Sequence, residues 1–193
     1  MLQSESVIAV FGDQQGTDAA VKKLASAGFA LENLSVVGKS YHTEEKTLGF
    51  YNTGDRITFW GKRGAFWGDL WGLFGGGVAL TMPSVGQIMV LGYLAMIVVS
   101  AVEGAILAGG LSALGAALYS AGIPRDSILQ YEQAVKADGF LLVVHGAVDE
   151  LTRARAILAL ANPSRVDLHD GLTTSLSGPL PVSRAPAVRT LGA

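Results

Sequence analysis

Glu103 is the single formal charge in the 55 residues between Asp69 and Arg125. A carboxylate in so apolar a run can act as a proton site or an internal polar contact. It can also mark where an apolar segment ends, and the length of the run favours that reading. Asp69 reads as a first-turn helix charge that complements the positive end of the helix dipole. His42, His145 and His169 fall in a polar stretch and at two strand ends. They lack the H-x-x-x-H or H-E-x-x-H spacing of a zinc site and read as strand-edge side chains. Gly12-Asp13-Gln14-Gln15-Gly16-Thr17 follows a strand as a phosphate loop does, but without the Gly-Lys-Ser/Thr ending or the G-x-G-x-x-G spacing. A turn with a helix cap is the better reading. There is no G-x-S-x-G elbow, no convincing carboxylate pair, and no cysteine for thiol catalysis, disulfides or metal binding. The expectation is a non-catalytic chain with no cofactor site and no metal site.

The other signal is spacing. Gly64, Gly68, Gly72 and Gly76 recur every four residues, as do Ala101, Ala105, Gly109, Ala113, Ala117 and Ala121. On a helix such residues share one face and let two backbones approach closely. Gly64, Gly68, Gly72, Gly76, Ala105, Gly109 and Ala113 are therefore the expected helix-packing and self-association surface.

These residues need elements to carry them. Half of the residues are hydrophobic and mean hydropathy is +0.40. The segment reads as a two-helix hairpin. One arm spans about Gly64–Met82, Pro83-Ser84-Val85-Gly86 makes the turn, and a second arm spans about Gln87–Ala121. The first arm just reaches the ~20 residues of a bilayer span. The second would be about 52 Å long, well past a ~30 Å hydrocarbon core, which places a boundary near Glu103. Trp60, Trp67 and Trp71 with Lys62, Arg63 and Arg125 match an interfacial belt with positive-inside flanks. The expected partners are a lipid bilayer and further copies of the chain. The expected location is a bacterial inner membrane with both termini cytoplasmic. The alternative is a cytoplasmic homo-oligomer that buries the hairpin. Net charge is −2 and no basic stripe is present, so no nucleic-acid partner is expected.

Around the hairpin the chain is ordinary. Val7–Phe11 reads as a strand, Thr17 or Asp18 to Ala27 as a helix closed by Gly28, and Leu34–Val37 as a strand. Asp126–Ala137 reads as a helix, Phe140–Val144 as a strand, the stretch after Asp149 as a helix, and Val166–His169 as a strand. The fold class is α+β, a ferredoxin-like βαβ–βαβ antiparallel sandwich split by the hairpin. The units are 1–57, the first half with a polar loop; 58–122, the hairpin; 123–170, a helix and the second half; and 171–193, a proline-bearing tail read as disordered and as a docking segment for a protein partner.

Gly122-Ile123-Pro124-x-Asp126, then Tyr131-Glu132, then Gly139-Phe140-Leu141-Leu142-Val143-Val144, then Arg153-Ala154-Arg155-Ala156-Ile157-Leu158 resembles the C-terminal half of bacterial general stress proteins of the heat-induced, YflT-like type. The Val7–Gly12 strand, the Ala19–Gly28 helix and the glycine-rich hairpin are also similar, over about residues 5–170. The resemblance implies a stress-type protein and brings no catalytic residues. The split architecture is also similar to a small membrane subunit of quinol-oxidising respiratory complexes, which gives an alternative role as a structural subunit.

Overall fold

The computed structural model describes residues 5–40, 62–82, 85–104 and 112–169. Their order is β1 (Glu5–Phe11), α1 (Gln14–Ser26), a 3-10 turn (Leu31–Asn33), β2 (Leu34–Lys39), α2 (Lys62–Phe74), β3 (Gly77–Met82), β4 (Gly86–Gly92), α3 (Tyr93–Gly104), α4 (Ala113–Ser120), α5 (Arg125–Lys136), β5 (Phe140–Gly146), α6 (Val148–Ala159) and β6 (Arg165–His169). The fold is α+β. Its six strands form one sheet in the order β3-β4-β2-β5-β1-β6, and every neighbouring pair is antiparallel.

Strand alternation sends successive side chains to opposite faces, and both faces here are covered. Ile8, Val10, Val37, Leu141 and Val143 meet Leu94 and Val98 of α3, Leu114 and Leu118 of α4, and Ile128, Tyr131 and Val135 of α5. On the other face Val7, Phe11, Val36, Leu142 and Val144 meet α1, α6, and Trp67 and Leu70 of α2. The molecule is thus three layers, helix–sheet–helix, with two apolar cores.

The expected pair of long helical arms is corrected here. The first arm is helical only to Phe74 and continues as β3. The second begins as β4, and its helical part is divided between α3 and α4. No helix among the described residues is long and apolar enough to cross a membrane. The reason lies in β4, where Ile88, Met89, Val90 and Leu91 are all buried, with Ile88 and Val90 in one core and Met89 and Leu91 in the other. A strand buried on both faces has no polar side and reads as an unbroken apolar run. Chain reversal at the expected turn does occur, with the Val85 amide donating to the Met82 carbonyl.

Two glycines fix the new strands. Gly92 has φ +79, and a Cβ there would lie 2.1 Å from the Leu34 carbonyl oxygen, so only glycine lets β4 end against β2. At Gly77 a Cβ would meet the Leu91 side chain at 2.2 Å and the Val90 carbonyl at 2.7 Å. These residues serve strand packing in a sheet.

Candidate functional site

An open cleft of about 930 Å³ lies between the 3-10 turn, the end of α2, the start of β3 and the first two turns of α3. Ser35 of β2 holds α3 in place, its hydroxyl oxygen accepting a hydrogen bond from the Leu94 amide at 3.0 Å. This satisfies one of the free amides that every helix start leaves. Leu94, Ala95 and Val98 then face the sheet. The opposite side of the helix is left apolar and open. Met96 is 75 % exposed, Tyr93 41 % and Val99 37 %, and Leu73 of α2 joins them at 40 %. Gly75 and Gly76, with φ +71 and +154, carry the chain from α2 into β3, and nothing lies within 4 Å of where a Cβ on either would sit. Bare backbone therefore lines part of the cleft.

Behind its wall lies a polar row. His145, Ser6 and His169 stand side by side on β5, β1 and β6, each paired in register with the next. The Tyr93 ring packs on His145, centroids 4.6 Å apart at 57°. Burial pushes the His145 imidazole down to about 4, since the charged form would lose its water, while the nearby Asn33 backbone opposes this slightly. Neither ring nitrogen reaches hydrogen-bond geometry, and the buried Ser6 hydroxyl is also unpartnered. At the far end the Tyr131 hydroxyl donates to Asp167 at 2.9 Å and lies 2.5 Å from His169 Nε2. Burial first, and then the Asp167 hydrogen bond, raise the Tyr131 phenol well above its ordinary range. That phenol stays protonated, so Tyr131 acts as a tether between α5 and β6 and not as a base. Arg165 pairs with Asp167 at 2.5 Å. Among the described residues no group of three or more His, Asp or Glu side chains is placed to hold a metal ion.

The glycine-rich turn after β1 is a helix start. Asp13 caps α1 by accepting from the Gly16 amide at 2.6 Å, which fills the position a phosphate would need.

The other expected site residues are dispersed. Gly64, Gly68 and Gly72 lie along α2, while Gly76 lies beyond its end, so the column of four is broken. Trp67 is 4 % exposed, in an aromatic cluster with Phe66 and Phe140, and Trp71 packs against the same core. Arg125, at the start of α5, lies over the Tyr119 ring. Ala113 opens α4, Lys62 and Arg63 open α2, and Glu103 sits in the last turn of α3. Trp60, Ala105, Gly109, His42 and the tail 171–193 lie outside the described residues. The cleft itself was not foreseen, although Gly75-Gly76-Gly77 and Gly92 were the available signals for interrupted helices. No family model, curated protein or solved structure matches the chain.

Proposed function

We propose that the chain is a non-catalytic, membrane-associated and self-assembling protein of the bacterial general stress type, which rests on lipid through the apolar rim of its cleft. One observation carries this reading: Leu73, Tyr93, Met96 and Val99 are exposed together around the cleft, in a segment whose single formal charge is Glu103. Contiguous exposed apolar surface is the usual mark of a contact face. Association is at the bilayer surface, with Tyr93 as an amphipathic anchor. The underlying core is ferredoxin-like. The strand order β2-β5-β1-β6 and the antiparallel pairings support this, with β4 and β3 extending the β2 edge.

Fractionation tests the proposal. The protein should stay with the membranes through a high-salt wash and leave them in mild detergent. Release by salt alone would overturn it, because an apolar contact is not screened.

A further inference from the structure

We infer that the cleft is a binding site for one molecule of a long-chain amphiphile whose headgroup is neutral or cationic. The inference rests on the membrane-contact reading above and specifies what that face would take up. A volume of about 930 Å³ is within the usual range for a single small-molecule site. A folded partner would meet a broader and flatter surface. The walls suit an alkyl chain: Leu31 and Phe74 are partly buried among the lining residues, and Met96 and Val99 are exposed. Glu32 is the one charged residue among those lining it, and it is exposed. Asn33 and Tyr93 supply the polar side chains, and Gly75 and Gly76 leave backbone accessible beside them. An alkyl tail can lie along the apolar wall with its head near Glu32. That carboxylate repels the carboxylate of a fatty acid, tolerates an uncharged head and attracts a quaternary ammonium.

The test uses the purified full chain and three dodecyl probes below their micelle concentrations, followed by calorimetry. No bilayer is present, so a failure of the membrane reading stays separate from a failure of the site. Dodecyltrimethylammonium should bind saturably with one site per chain. It should bind roughly fivefold more tightly than dodecanoate, the scale of a partly exposed charge contact, with dodecyl maltoside between them. Glu32→Gln should bring the three affinities together. Met96→Gln on the open rim should weaken all three without loss of the far-ultraviolet circular dichroism spectrum. Equal binding of dodecanoate and the ammonium probe by the unmodified chain, no saturable binding, or binding indifferent to Met96→Gln would each overturn the inference.

Discussion

The rings of Tyr93 and His145 pack 4.6 Å apart, so a residue that walls the cleft also covers a desolvated histidine of the sheet. The rim of the cleft and the core are joined there.

His145 gives a pH dependence with a definite sign. Its folded value of about 4 lies below the ordinary 6.5, so the unfolded chain takes up the proton first as the solution is acidified. The stability gained by keeping it neutral is full above pH 6.5 and is lost as the pH falls from about 6.5 towards 4. The contribution is on the order of 3 kcal/mol. Thermal unfolding between pH 7.5 and 4.5 should therefore show a falling midpoint, and His145→Phe, which keeps a ring against Tyr93, should flatten that fall. An unchanged slope in the variant would show that the proton is taken up elsewhere.

Gly92 and Gly72 should respond oppositely to alanine. At Gly92 the new Cβ meets the Leu34 carbonyl at a positive φ, a cost of about 2–3 kcal/mol. At Gly72 nothing lies within 4 Å of the added carbon, and a helical Gly→Ala change gains about 0.5–1 kcal/mol. Urea unfolding of both variants checks this. Gly72→Leu adds the self-assembly test: loss of oligomer mass by light scattering is expected if α2 packs against another copy.

These glycines also show how far the residues alone could be read. The flanking helices were legible because each has a polar side. The flanking strands, although β1, β2 and β5 are buried on both faces as β4 is, were legible because each is a short apolar run bounded by polar or glycine-bearing stretches. The start of α1 expected at Thr17 or Asp18 is too late, since Asp13 caps a helix that begins at Gln14; α5 places Ile128, Tyr131 and Val135 on one face. The segment from Gly77 to Gly92 was not legible. Ile88 to Leu91 are buried on both sides, and an apolar run without alternation looks the same as a buried helix or a buried strand. The four-residue glycine spacing reinforced the helical reading, yet Gly76 lies past the end of α2, directly before β3. Trp67 misled in a similar way. Clustered tryptophans near basic residues match an interfacial belt, and only the packing of Phe66 and Phe140 shows Trp67 to be core. The cleft is formed by the 3-10 turn, α2 and α3, which are distant in sequence, so no local pattern announced it.

Trp67→Ala should cost about 3–5 kcal/mol, the range for removing a large buried aromatic. Gly38 lies beneath the same cluster, where a Cβ would meet the Phe140 ring at 2.4 Å. Gly38→Ala should therefore cost about 1–3 kcal/mol by overpacking. Equilibrium denaturation of the two variants gives both values.

Tyr131→Phe removes the hydroxyl that joins α5 to Asp167 and His169. A loss of about 1–2 kcal/mol is expected. Faster amide exchange should be confined to β6 and α5, as hydrogen exchange resolved by mass spectrometry would show.

The membrane-contact claim is tested most directly by flotation of the full chain with phosphatidylcholine vesicles, comparing the unmodified protein with Met96→Glu/Val99→Glu. The unmodified chain should rise with the vesicles, and the double variant should remain at the bottom of the gradient with its fold intact. Equal flotation of the two, or none by either, would contradict the assignment of this rim as the surface that meets lipid.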